Sequence, residues 1–243
     1  MNRTAAVGIA AFSFMLATCS RPTPQPAGKG PSATPGAVVE VSGGKQVATI
    51  GTPLDQPIVI QVNDAHGTPV AGASVRFRAS NGATLQPSWG ITGSDGQFTT
   101  ALTIGSIAGR YKVSAATEGA GGKTVEIHID ELALGFEENQ GKQVSDVYCS
   151  RCHEQESSAE RVSNFDNLSA KPHVFSDGAF LNKMSDADLL AIIQHGGPAL
   201  NKSAEMPPYG RTLSKSDISA LLAYIRAVAD PAYQPKEIFF AQR

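Results

Sequence analysis

Cys149-Ser150-Arg151-Cys152-His153 places two thiols three residues apart and an imidazole directly after the second. Thiols at this spacing can each add to one vinyl group of a haem, and the adjacent imidazole can then reach the iron. The only other cysteine is Cys19, near the N-terminus. A disulfide between Cys149 and Cys152 is the competing reading in an oxidising compartment. The imidazole at His153 favours haem over it. A zinc site would need two further ligands of Cys or His character at a workable spacing, and the sequence has no second Cys pair.

Cys149–His153 resembles the haem-attachment site of c-type cytochromes. The resemblance implies one covalently attached haem c, with Cys149 and Cys152 as its thioethers and His153 on the iron. Gly141 to Arg151 reads as a helix leading into the motif, with Val144, Val147 and Tyr148 on its apolar side. Class I cytochromes c begin with such a helix, packed on the C-terminal helix through a glycine and an aromatic. Gly141 fits the first position. Ser145 stands where the aromatic is expected, which implies a looser helix contact.

His153 to Asp177 is polar and irregular, as loops wrapping a haem edge would be. Ser185 then caps a helix, with Asp188 as its partner three residues on. Leu189, Leu190, Ile192 and Ile193 give that helix an apolar face, and Gly196-Gly197 ends it. A last helix runs from Ser214 to about Ala229. Ser214 and Asp217 cap it, Ile218, Leu221, Leu222, Ile225 and Val228 recur at helical spacing, and Pro231 stops it.

The other face of such an iron calls for Met or His. Met184 directly precedes a helix cap and reads as a core residue. Met206 lies in Glu205-Met206-Pro207-Pro208-Tyr209-Gly210, where two prolines stiffen the backbone. That segment resembles the Met-Pro-Pro ligand loop of class I cytochromes c, which implies Met206 as the second axial ligand. His195, at the end of a helix, is the rival. It could instead bond a propionate or cap the helix. His173 is a weaker rival. Arg151, Tyr209 and Arg211 are the polar residues close enough in sequence to tune a haem.

Upstream, Ala37 to Asp130 alternates with period two. Ile58, Ile60 and Val62 point one way, and Val75 with Phe77 does the same, as do Phe98 with Leu102, Tyr111 with Val113, and Val125 with Ile127 and Ile129. Turns at Asp64-Ala65-His66-Gly67, Asn81-Gly82 and Asp95-Gly96 separate these runs, which predicts an all-β sandwich. The stretch resembles the invasin/intimin type of bacterial immunoglobulin-like domain. The resemblance rests on Ser42–Gln46, Val62–Gly72, Thr92, Ser94–Gln97 and Gly109–Val113. His66 and His128 are expected outside, and Trp89, the only Trp, is expected to pack at the sandwich edge, with a partner contact as the alternative.

Residues 1–18 read as a secretion signal. Arg3 supplies its charge, Ala5–Leu16 its apolar core and Leu16-Ala17-Thr18-Cys19 its processing site. The ending resembles the lipobox of bacterial lipoproteins, which implies acylation of Cys19 and, with Ser20 next, outer-membrane sorting. A plain signal peptide cut nearby is the alternative. The apolar run is shorter than the ~20 residues of a membrane-spanning helix. Residues 19–36, with five prolines, read as a tether.

The expected order is therefore signal 1–18, tether 19–36, immunoglobulin-like all-β sandwich 37–130 and all-α class I cytochrome c domain 131–243. A net charge of −2 without a basic run argues against nucleic acid as a partner. Residues 131–243 hold 11 Lys or Arg against 15 Asp or Glu, a net −4. That balance favours redox proteins with a locally basic surface. The expected function is a membrane-anchored one-electron carrier of the bacterial envelope, facing the periplasm or the exterior, with no substrate turned over. The sandwich would be its spacer or docking module. A haem sensor or enzyme with an open iron, and an adhesion protein with an accessory haem, are the alternatives.

Overall fold

Hydrophobic alternation builds the N-terminal half as expected. The computed structural model describes residues 30–157 and 161–235. Strands β1 (Ala37–Ser42), β3 (Ile58–Asn63), β7 (Gln97–Thr103) and β5 (Thr84–Gln86) form one sheet in the order β1-β3-β7-β5. The facing sheet runs β2 (Val47–Thr49), β9 (Thr124–Leu134), β8 (Gly109–Glu118), β4 (Ser74–Ala79) and β6 (Trp89–Ile91). Ile58, Ile60, Val62, Val75, Phe77, Leu102, Tyr111, Val113 and Ile129 are buried between the sheets. No cysteine lies in this half, so its stability rests on burial, at about 1.5–3 kcal/mol for each large apolar side chain. Tyr111 is fully buried and its hydroxyl donates to the Ile107 carbonyl at 2.7 Å, so the phenol costs no orphaned donor.

The Asp64–Gly67 turn is organised by the Asp64 carboxylate, which accepts from the Thr68 and His66 amides at 2.9 and 2.8 Å. Those bonds hold its carboxyl below the ordinary range. His66 and His128 are exposed, as expected. Trp89 corrects the sequence reading: it is 58% exposed rather than packed. Trp89 pairs with Arg76 across β4 and β6, and Arg76 lies on the outer face. The next residue, Gly90, faces inward, where a Cβ would overlap the Phe98 ring. Period-two geometry then turns Trp89 out.

Both expected edges of the sandwich shift. At the N-terminal edge, the Ser32 amide donates to the Ala71 carbonyl at 2.8 Å and the Ser32 hydroxyl accepts from the Ala71 amide at 3.0 Å. Ala33 packs on the core and Pro35 is buried. The end of the expected tether 19–36 is thus docked on the sandwich. The signal 1–18 and Cys19 lie outside the described residues. At the other edge, β9 continues past the expected boundary at Asp130 to Leu134, because Ala133 still pairs with Gly109 of β8 and Leu134 with Thr49 of β2. Gly135 alone separates β9 from helix α1 (Phe136–Tyr148), which begins earlier than the expected Gly141. The Arg110 guanidinium donates to the Ala229 carbonyl at 2.6 Å, joining β8 to the end of helix α5 (Lys215–Val228).

The second half comprises α1, α2 (Ser150–His153), α3 (Gly178–Leu181), α4 (Asp186–His195) and α5. Ser214 accepts from the Asp217 amide at 3.1 Å, and the Asp217 carboxylate accepts from the Ser214 amide at 3.2 Å, the expected cap of α5. The Ser185 hydroxyl caps α4 by accepting from the Asp188 amide, without the reciprocal backbone bond. Helices α1 and α5 cross at Gly141 and Ala220, where a Cβ on Gly141 would overlap the Ala220 carbonyl oxygen. The looser contact expected from Ser145 is not found. Ser145 is buried, and Tyr224 of α5 brings its side chain against Gly141 instead. Gly141→Val should therefore force α1 and α5 apart and destabilise the helical half by about 1–3 kcal/mol, read as a lowered denaturation midpoint.

Glu131 occupies the inward phase of β9 and is 1% exposed. One carboxylate oxygen accepts from the Gln46 amide at 2.6 Å, and the other has no partner among the described residues. Burial raises its carboxyl from 4.5 to about 7, with Glu40 and Asp130 adding to the rise. The folded state thus holds this proton more tightly than the unfolded chain. The stability it contributes is complete below about pH 4.5 and falls as pH rises to about 7. Glu131→Gln should remove that slope and leave the variant about 1 kcal/mol more stable than wild type at pH 8, measured by denaturant titration.

Candidate functional site

Local winding brings the three residues of the opening motif together. The Cys149 amide donates to the Ser145 carbonyl at 2.8 Å and ends α1, and the Cys152 and His153 amides both donate to the Cys149 carbonyl at 3.0 Å. Positions i, i+3 and i+4 of one helical turn share a face. Cys149, Cys152 and His153 accordingly line one cavity of about 270 Å³. Its walls are mainly apolar, with Phe175, Leu181, Leu189, Ile193, Leu221 and Ile225 prominent. Both cysteines are free thiols. Burial, helped by the neighbouring Cys152, pushes the Cys149 thiol up to about 12, so it stays protonated.

The His153 Nδ1 lies 2.8 Å from the His173 carbonyl oxygen. A carbonyl can only accept, so Nδ1 carries the proton and Nε2 keeps its lone pair. Burial lowers the His153 pKa, partly offset by that bond, so the ring is a neutral donor. Its face stacks on Phe175 at 4.7 Å, and Phe175 meets Tyr224 of α5 edge-on at 6.4 Å. His173 itself also lines the cavity. Its Nδ1 is 2.7 Å from an Asp177 carboxylate oxygen and its ring lies flat on Phe180 at 3.5 Å. The bond to His173 holds the Asp177 carboxyl below its usual range.

Met206 lines the same cavity. Its carbonyl accepts from the Gly197 amide at 3.0 Å, beneath a turn where Gly196 takes φ of 80° and a Cβ would crowd that carbonyl. The Tyr209 and Gly210 amides donate to the Ile193 and Gln194 carbonyls, both at 3.0 Å, fastening the proline loop to the end of α4. Tyr209 also lines the cavity. Its hydroxyl donates to the Tyr148 carbonyl at 2.9 Å, and burial raises its phenol pKa, with lesser contributions from Cys149 and Cys152. Met184 reaches the cavity as well as the core beside α4.

Three expected residues stand elsewhere. His195, Arg151 and Arg211 are exposed and do not line the cavity. His195 is the last residue of α4, where a cation complements the helix end. Phe175, Phe180, Asp177 and Lys171 are contributions that the sequence reading missed. Lys171, Phe175 and Asp177 fall in the aperiodic loop and Phe180 in the four-residue helix α3, where no spacing marks a side chain as inward. Lys171 donates to the Phe165, Asp166 and Leu168 carbonyls at 3.1, 2.7 and 3.2 Å and holds that loop closed.

Residues 56–130 match the family model described as bacterial Ig-like domain (group 1). Residues 137–225 match the model described as cytochrome C oxidase, cbb3-type, subunit III. Both resemblances read from the sequence are thereby borne out. No curated protein matches the chain. Among solved structures, the D00-D0 domain of intimin is 18% identical, covering 39% of this chain and 45% of that one at a TM-score of 0.29. The Yersinia pseudotuberculosis adhesin InvE is 15% identical over 39% of this chain and 31% of that one, at 0.30. Invasin, a bacterial integrin-binding protein, is 23% identical over 40% of this chain and 19% of that one, at 0.30. The chain thus spans less than half the length of each of these three structures.

The residues present fit a haem. The cavity is apolar, two thiols stand one helical turn apart, an imidazole is held with its Nε2 free, and a thioether lines the same space. Removing the ring that backs the imidazole should loosen it. Phe175→Ala is expected to cost about 1–3 kcal/mol in thermal unfolding and to broaden the His153 ring signals in NMR spectra.

Proposed function

We propose that this protein is a lipid-anchored, mono-haem c-type cytochrome that carries one electron at a time between partners in the bacterial envelope. The cytochrome match over residues 137–225 supports a haem-binding electron carrier. The observation that carries the finer reading is the sharing of one apolar cavity by Cys149, Cys152, His153 and Met206.

Haem bound there supplies a one-electron iron couple whose potential follows its axial ligands and their surroundings. Cys149 and Cys152 would hold it through thioethers, and His153 Nε2 and Met206 would take the two axial positions of a class I cytochrome fold. His173 strengthens His153 as a donor through the Nδ1 bond, and Phe175 holds the ring plane. Leu189, Ile193, Leu221 and Ile225 exclude water from the cavity and favour the less charged state of whatever it holds. With His153 and Met206 both holding the iron, no site would remain for a substrate, and the protein would turn none over.

The leader, Cys19 and the proline-rich segment would place the molecule on the outer membrane, facing the periplasm or the exterior. Among the described residues no helix is long and apolar enough to cross a membrane. The immunoglobulin-like domain would act as spacer or docking module. Its match to a bacterial Ig-like family supports an envelope location. Redox proteins with a locally basic surface are the partners that the net −4 of residues 131–243 would favour.

The ligand assignment is tested by comparing spectra of Met206→Ala and wild type. Loss of the ferric methionine-to-iron charge-transfer band in the variant is the expected result. Rapid, complete CO binding by the reduced wild-type protein would instead show an open iron and overturn the carrier reading.

A further inference from the structure

Glu205, the residue before Met206, is tied to the opposite wall of the cleft. One of its carboxylate oxygens accepts from the Ser169 hydroxyl at 2.6 Å, from the Ser169 amide at 3.2 Å, from the Ala170 amide at 3.4 Å and from the Ser203 hydroxyl at 3.2 Å. The other oxygen accepts from the Ser169 amide at 3.3 Å. Ser169 and Ala170 belong to the loop that runs through Pro172 to His173, whose carbonyl fixes the His153 imidazole. Both flanks of this contact border the cavity: Ala170, Lys171, Pro172 and His173 on one side, Ser203, Glu205 and Met206 on the other.

We propose that Glu205 is a positioning residue, a carboxylate strap that fastens the Met206 segment to the loop orienting His153 and so holds both would-be axial groups on one closed frame. The proposal rests on the reading of Met206 as an iron ligand. Apart from the strap, the Met206 backbone is held from its own side of the cleft. Its carbonyl meets the Gly197 amide and its amide the Ser203 carbonyl at 3.4 Å. Those bonds fix the loop against the turn that follows α4, and none crosses to the His153 side. Only the Glu205 carboxylate makes that crossing among the hydrogen bonds of residues 203–206 within the described residues. A carboxylate accepting several N–H and O–H bonds forms stronger links than a neutral acceptor would. Without it, Met206 could swing from the iron while its backbone bonds to Gly197 and Ser203 persisted.

The test uses the haem-loaded full chain with Glu205→Leu, Glu205→Gln and Ser169→Ala. Amide exchange at Ser169 and Ala170 should accelerate about tenfold in Glu205→Leu, and CO binding to the reduced protein should accelerate by a similar factor. Ser169→Ala should show a smaller effect in the same direction. Glu205→Gln keeps an acceptor oxygen in place and should restore most of the wild-type behaviour. Unchanged amide exchange in Glu205→Leu overturns the strap whatever ligates the iron. Accelerated exchange with unchanged CO binding overturns its positioning role. A wild-type spectrum without a methionine band overturns the ligand reading, and the positioning role with it.

Discussion

Everything in the helical half depends on how closely α1 and α5 approach at Gly141 and Ala220. Glycine is required at this crossing because a backbone carbonyl occupies the space a Cβ would take. The contact sets the position of Cys149 at the end of α1 relative to Leu221 and Ile225 on α5, and these residues together define the floor of the cavity. Tyr224, one turn beyond Ala220, meets Phe175, and Phe175 backs His153. A contact between two backbones is thus relayed, through two rings, to the plane of the imidazole.

The cleft above that floor is closed by polar links rather than by further packing. His153 to His173, His173 to Asp177 and Lys171 to three carbonyls give an irregular loop a defined shape around one short 3-10 turn, Phe165–Asn167. Such a loop pays a conformational cost that apolar burial alone does not cover here, because much of it is exposed. Hydrogen bonds to charged groups offset part of it. The result is a rigid apolar cavity with polar stitching at its mouth, suited to a large flat cofactor that must not shift when its charge changes.

Between the halves, β9 passes into α1 through Gly135 alone, and Arg110 reaches the C-terminal end of α5. A guanidinium at a helix C-terminus meets carbonyls that lack intrahelical partners and the negative end of the helix dipole. Glu131 lies buried in the same strand close to this junction, its unpartnered oxygen kept tolerable by a raised proton affinity. The sandwich and the helical half thus meet through a one-residue connection and a hydrogen bond to a helix end.

Much of this architecture was legible in the chain itself. Period-two runs such as Ile58-Val59-Ile60-Gln61-Val62 dictated the sandwich, because alternation leaves one solution for burial. The spacing of Cys149, Cys152 and His153 dictated a shared face, because helical turns bring i, i+3 and i+4 together. Ser185 and Ser214 marked helix starts through capping chemistry that needs only neighbours. What periodicity could not reach was decided in three dimensions. Trp89 turned outward because Gly90 had to meet Phe98, and β9 overran Asp130 because its pairing partners were still present. Phe175, Asp177 and Lys171 joined the site from an aperiodic loop. His195, Arg151 and Arg211, near the motifs in sequence, ended outside it. Local rules act through neighbours along the chain, whereas a cavity is lined by whichever residues distant contacts bring to it.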